Sequence, residues 1–444
     1  MKLNIKKWGI NGEGIGFKDR KPVFVKGAIP EELVDVKIEK RFEHYSHACL
    51  IKVLKSSSYR RFSPCPHAQC DGCALMHVNY KGQCQMKASI LKQALAKYAN
   101  YNGKIEPLVK NDSVFGYRNS CKLPVKKRNG EIQTGMFKAG TQKFLPIDRC
   151  LVHEKELERV RSELLICLRK YNVPCLEGDG QGLRHIVIKE FEQKIQIILV
   201  STPMHFSQSM IQDILNLENV CSVWQSIKIH DSVDIFGSQM NFLGGHRNMI
   251  LHIDNLKLEL LPKSFFQLNT SQAKNLYRTV REWLEPCESL VEAYSGIGAM
   301  SLLCAPKAKQ VYGIEWINDA VQNANANAKN NGFDHVYFKQ GDAASLFSKS
   351  DKVDALIVDP PRSGLDSPMK KAILKKQPDQ MLGGRKTVIC EFLGTGMISV
   401  MPVPLLSVHP REYSQQGHIR YVPSVCVYRW TCPVPPHKPP LQAL

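Results

Sequence analysis

The chain is 444 residues long and carries 60 Lys and Arg against 41 Asp and Glu, a formal charge of +19. That length is too great for one compact core, so two or three domains are expected, and a clustered positive excess predicts attraction to a polyanion such as nucleic acid. No stretch has the apolar length of a membrane span, and Met1-Lys-Leu-Asn-Ile-Lys-Lys7 lacks a signal-peptide core. These features predict a cytoplasmic protein, in which fifteen cysteines point to thiols, metal or catalysis rather than disulfides.

Residues 1–57 read as a small closed β-barrel. Gly9-Ile-Asn-Gly12-Glu-Gly14-Ile-Gly16-Phe17 has the glycine density of a bulged, sharply curved strand, and short β-branched runs follow at Val23–Val25, Val34–Ile38 and Leu50–Val53. Lys37, Lys40, Arg41, Lys52, Lys55, Arg60 and Arg61 make this region basic. A barrel of this kind suits oligonucleotide binding.

Residues 58–258 form a second, central unit. Cys65-Pro-His-Ala-Gln-Cys70-Asp-Gly-Cys73 is joined much later by Cys150. Three close thiols and a distant fourth make the donor set of a tetrahedral sulfur cage, and both zinc and an iron–sulfur cluster fit that count. Cys84 and Cys121 stay open as alternatives, whereas His67 and His77 read as ordinary polar residues. An amphipathic helix is predicted over 79–99, with Met86, Ile90, Leu91, Ala94, Leu95 and Tyr98 on one face. Beyond it lie a helix over 155–171, strands at Gly182–Ile188 and Ile195–Val200, and a second basic cluster of Lys122, Lys126, Lys127 and Arg128.

Residues 259–380 carry three signals in a telling order. An apolar strand ending at Ala293 leads into Tyr294-Ser-Gly296-Ile-Gly298, a turn whose glycines let backbone N–H groups approach a ligand. A second strand ends in Glu315, where such sheets place a carboxylate against ribose hydroxyls. A third ends in Asp359-Pro360-Pro361, a stiffened loop at the carboxyl edge of the sheet. Together they predict a doubly wound α/β domain with a nucleotide-type cofactor, and Ser301 in place of a third glycine argues against NAD. We read the site as that of S-adenosylmethionine in a nucleobase methyltransferase.

Residues 381–444 contain no Asp, two Glu and nine Pro, and end in Pro433-Val-Pro-Pro-His-Lys-Pro-Pro440. Such a segment neither alternates nor packs as an interior element, and we read it as an atypical tail whose coding frame departs from the rest near residue 380.

The motifs together resemble a known family. The glycine-rich barrel looks like a TRAM domain, and Cys65-Pro-His, Phe115-Gly-Tyr-Arg118-Asn119, Gly182-Leu-Arg-His185, Ser264-Phe-Phe-Gln267-Leu-Asn269 and Asp359-Pro-Pro-Arg-Ser-Gly364 follow in order. All are similar to the RNA 5-methyluridine methyltransferases, and most to the branch acting on 23S ribosomal RNA. The resemblance implies a Rossmann-like class I methyltransferase domain behind an OB-type barrel and a central α+β domain. It also implies a 4Fe–4S cluster on Cys65, Cys70, Cys73 and Cys150, and S-adenosylmethionine contacts at Gln267, Tyr294, Glu315 and Asp359, with Asp342 added near adenine. Ribosomal RNA, or alternatively tRNA, is the implied partner, and a monomer is expected. The family's catalytic Ser-Cys-Asn-Pro and His-x-Glu signatures are missing, so the catalytic residues stay unassigned. Cys390 is the one thiol after an apolar run near the right distance. Three readings therefore compete: an RNA uracil-C5 methyltransferase, a homologue that binds cofactor and RNA without turnover, and a methyltransferase for a small molecule or protein, which the basic barrel disfavours.

Overall fold

The computed structural model describes residues 1–383 except 68, 71, 100, 101, 104, 139, 140, 179, 231, 233, 362 and 363, together with the backbone of 407–408 and 419–421. It is an α/β protein built from a barrel, a central mixed sheet and a doubly wound parallel sheet. Among the described residues, no helix is long and apolar enough to cross a membrane.

Strands β1 (Lys2–Trp8), β2 (Gly14–Lys18), β3 (Lys21–Lys26), β4 (Leu33–Arg41) and β5 (Ser46–Lys55) close into a barrel in the order β1-β2-β3-β5-β4. Alternation turns Leu3, Ile5, Val23, Val25, Val34, Val36 and Ala48 inward. Closure needs the glycines: a Cβ on Gly16 would lie 2.7 Å from the Asn4 carbonyl oxygen. The basic cluster read here is not all available to a polyanion. Arg60 pairs with the buried Glu32 and donates to the Gly27 carbonyl at 2.7 Å, fastening the barrel to the segment after it, and Arg61 Nε donates to Met76 O at 3.0 Å within that segment. Helix α1 (Tyr80–Ala99) docks Met86 and Ile90 against Trp8, Ile29 and Val78.

The central sheet comprises β7 (Ser120–Arg128), β8 (Glu131–Phe137), β9 (Phe144–Pro146), β10 (Leu183–Phe191), β11 (Lys194–Ser201), β12 (Val220–Ile227) and β13 (Gln239–Gly245), following the short β6 (Ile105–Leu108). Its order is β13-β12-β11-β10-β7-β8-β9. Helices α2 (Lys155–Lys170) and α3 (Gln208–Leu215) cover one face through Leu157, Val160, Leu164, Met210 and Ile214. The other face holds a smaller cluster of Val187, Ile198, Val200 and Trp224 under Ile235, Phe236, Met240 and Phe242.

A hairpin of β14 (Met249–Ile253) and β15 (Leu256–Leu260) shares a core with α4 (Thr270–Trp283) and the last sheet. That sheet runs β18 (Val336–Gln340), β17 (Ala308–Glu315), β16 (Cys287–Ala293), β19 (Ala355–Val358), β20 (Gln380–Gly383), β21 (Ser407–Val408), and is parallel up to β20. Helices α5 (Ala299–Cys304), α6 (Asn318–Asn330), α7 (Ala343–Lys349) and α8 (Ser367–Lys376) form the crossovers. The order reverses between β16 and β19, so a crevice opens at their carboxyl ends.

Candidate functional site

The three strand ends singled out by the sequence meet at this crevice. After β16 the chain turns through Tyr294 at φ +66°, Gly296 at +56° and Gly298 at +80°, three left-handed residues that swing it directly into α5. The two glycines serve different ends. A Cβ at Gly296 would meet nothing within 4 Å and would point into open space, whereas one at Gly298 would lie 2.4 Å from Phe338 Cζ. The expectation that both admit a ligand is therefore corrected for Gly298, whose close approach is to an aromatic ring of β18. The Ser295 hydroxyl is buried here without a hydrogen-bond partner among the described residues.

Glu315 ends β17 as expected, but its carboxylate is already engaged. Oε2 accepts the Gly296 N–H at 3.0 Å and Oε1 the Ile317 N–H at 2.9 Å. Each oxygen retains a lone pair, so the group can still accept from a hydroxyl while fixing the glycine turn. Asp342 accepts the Ser345 N–H at 2.8 Å and caps α7. Asp359 follows β19, and its Oδ2 accepts from Gln267 Nε2 at 3.2 Å.

Gln267 lies on the loop from β15 to α4, and the central sheet holds that loop. Asn119 Nδ2 donates to the Gln267 carbonyl and to Thr270 Oγ1, both at 2.9 Å, and the Asn119 N–H reaches the Leu268 carbonyl at 3.0 Å. From β10, Lys189 Nζ donates to the carbonyls of Pro262 at 2.6 Å and Ser264 at 2.8 Å. Burial lowers the Lys189 amine to about 7, and a neutral amine still has two N–H groups for two carbonyls. Sequence reasoning missed this clamp, although a lysine in the apolar run Ile186-Val-Ile-Lys189 is a visible signal. It also missed Glu292, an acid inside the apolar β16, which burial raises to about 8 and which accepts the Ser301 N–H at 2.8 Å.

Gln267, Tyr294, Glu315, Asp342 and Asp359 all line one cavity of about 1530 Å³. Its opposite wall is the central sheet, through Lys122, Trp224, Phe236 and Met240. The volume exceeds the range of roughly 300–1,000 Å³ usual for one small ligand. Among the described residues, no cysteine lines it.

Cys65, Cys70, Cys73 and Cys150 line a separate cavity of about 210 Å³, together with His77, Arg118 and His153. Burial, followed by the neighbouring Cys150, Cys70 and Cys65, raises the Cys73 thiol to about 12. The buried Arg118 Nε and His77 Nε2 have no hydrogen-bond partner among the described residues. The four thiols therefore surround one space, but no three His, Cys, Asp or Glu side chains among the described residues close on a single point as one ion would require. Cys121 is buried within the core between β7 and α2, away from that lining, and Cys84 is likewise outside it. Cys390 lies outside the described residues.

A glycine turn, an acidic second-strand end and a proline-backed aspartate at the switch point of this sheet define a methyltransferase domain, and residues 289–401 match the family model for a methyltransferase domain. The chain is 33% identical over 399 residues to an uncharacterized RNA methyltransferase of Enterococcus faecalis, covering 86% of this chain and 88% of that one. An uncharacterized RNA methyltransferase of Clostridium tetani is 30% identical, with 91% and 93% covered. This protein belongs to that family of RNA methyltransferases. In fold it is similar to the Pyrococcus abyssi tRNA (uracil-54, C5)-methyltransferase solved with S-adenosyl-L-homocysteine, at TM-score 0.69 and 23% identity over 88% of this chain and 92% of that one.

Proposed function

We propose that this protein uses S-adenosylmethionine to methylate C5 of uracil in RNA, with 23S ribosomal RNA as the first substrate and tRNA as the second. The observation that carries the reading is the meeting of Gln267, Tyr294, Glu315 and Asp359 around one cavity whose far wall is a separate sheet bearing Lys122. The cofactor would lie along the strand ends and supply an electrophilic methyl group. The unpartnered Ser295 hydroxyl and the open space at Gly296 fit such an occupant. The remaining volume would admit a base turned out of its stack. The Pyrococcus abyssi enzyme, which acts at uracil C5, supports the choice of atom.

Uracil C5 is a poor nucleophile until a thiolate adds at C6, and a base must afterwards remove the C5 proton. Among the described residues the cavity lining holds no thiol, and the chain carries neither Ser-Cys-Asn-Pro nor His-x-Glu; the lack of those two signatures favours a second reading, a homologue that binds cofactor and RNA without turnover. Labelled methyl transfer to ribosomal RNA and tRNA tests the first reading. Cofactor binding with no incorporation into either RNA favours the second. We also infer that the coding frame shifts near residue 380, and nucleotide sequencing that finds neither Ser-Cys-Asn-Pro nor His-x-Glu in a neighbouring frame refutes it.

We infer that Cys65, Cys70, Cys73 and Cys150 hold an iron–sulfur cluster. Four thiols lining one cavity supply the donor set of such a cluster, with zinc as the alternative. Metal analysis and visible absorption of anaerobically purified protein decide between them. The composition further supports a cytoplasmic location.

A further inference from the structure

The face of the central sheet that α2 and α3 leave uncovered continues from the wall of the large cavity toward β9. Register assigns its side chains. Lys122 stands opposite Val187, Lys126 opposite Gln133, and Phe137 opposite Phe144, whereas Val125 and Lys127 stand opposite Thr134 and Ile132 on the helix-covered side. Alternation therefore sorts the basic run of β7 into two sets, with Lys122, Lys126 and Arg128 on the open face and Lys127 on the other.

Aromatic rings are interleaved with these cations. The Lys122 ammonium lies 5.1 Å from the Phe236 ring centroid, where both residues line the cavity. The Arg128 guanidinium lies 5.8 Å from the Phe144 ring centroid, beside Phe137, which is 38% exposed. Among the described residues, Lys126 and Arg128 form no ion pair, and Glu131, opposite Arg128, has its carboxylate 3.8 Å from Arg169 of α2. From Lys122 to Arg128 the strand spans about 20 Å at ~3.3 Å per residue, room for a few nucleotides. Three cations on one strand face, Lys122, Lys126 and Arg128, with Phe236 against the first and Phe144 against the last, match the backbone and bases of a single strand.

We propose that this face is a track for single-stranded RNA, entering the cavity at Lys122 and Phe236 and leaving over Lys126, Arg128 and Phe144. The proposal rests on the RNA reading above and names the path by which the substrate reaches that site. Phosphates sit on the cations of β7, and bases stack on Phe144 and Phe137. Duplex RNA does not use it, since paired bases offer no free π-face.

The test compares the full-length Lys126→Glu/Arg128→Glu variant with Lys127→Glu, the neighbour on the opposite face. Affinity for a short uridine-containing single-stranded RNA is measured over a range of salt, and calorimetry with S-adenosylhomocysteine reports whether each variant keeps its cofactor crevice. The double variant is expected to lose roughly tenfold in affinity at physiological salt and about 1.4 in the slope of log K against log salt, at about 0.7 per phosphate contact. Lys127→Glu should keep the wild-type slope. Equal slopes for wild type and the double variant overturn the track while leaving the RNA reading intact. A wild-type protein that binds the cofactor product but no RNA overturns both.

Discussion

Replacing Glu315 with Gln isolates the acid that joins the glycine turn to the proposed ribose site. In the free protein both carboxylate oxygens accept backbone N–H groups, from Gly296 at 3.0 Å and Ile317 at 2.9 Å. Glutamine has one acceptor oxygen, so its NH2 must face one of those N–H groups, or the side chain must leave the turn. Hydrogen bonds to charged groups contribute about 1.5–3 kcal/mol each, and Glu315 is only half-buried, so we expect a stability loss near the lower value. The larger effect falls on the ligand, because a loosened Gly296 and a lost anionic acceptor act on the same edge of the crevice. At about 1.4 kcal/mol per decade, losing one charge-assisted bond raises the Kd for S-adenosylhomocysteine roughly 10- to 150-fold. Titration calorimetry reads the Kd, and urea unfolding reads stability. A variant that binds as tightly as wild type would refute the assignment of Glu315 to the cofactor.

The two turn glycines should respond differently to alanine. Gly298→Ala meets both a left-handed φ and Phe338 and should cost about 2–5 kcal/mol in urea unfolding. Gly296→Ala, with nothing near its Cβ, should cost only about 1–2 kcal/mol yet weaken binding of the cofactor product in calorimetry. Lys189 has a folded-state pKa of about 7, below its unfolded value, so its burial penalty is complete below pH 7 and stability rises as pH climbs toward about 10. Lys189→Met should abolish that rise in urea melts compared with wild type. Glu292 shows the opposite sign: raised to about 8, it favours the folded state at low pH, and its contribution declines as pH rises from about 4.3 through 8. Glu292→Gln should flatten that decline and leave the variant more stable than wild type above pH 8.

The sequence by itself determined the strand ends. Glycine at a sharp turn, an acid closing an apolar run and prolines behind an aspartate are local solutions to local backbone demands, so Tyr294, Glu315 and Asp359 could be read off the chain, as could the barrel's glycines and the buried face of α1. Only the tertiary structure decided what these residues touch. Phe338 claims Gly298 and Glu32 claims Arg60, because packing and charge neutralisation act between segments far apart in sequence. Asn119 and Lys189 hold the Gln267 loop at the crevice through backbone carbonyls, and although a lysine inside an apolar run is visible in the sequence, the carbonyls it reaches are not. The basic run of β7 likewise looks uniform in one dimension. Strand alternation divides it between two faces, and the sheet's packing on α2 and α3 leaves one of those faces open beside the cofactor cavity.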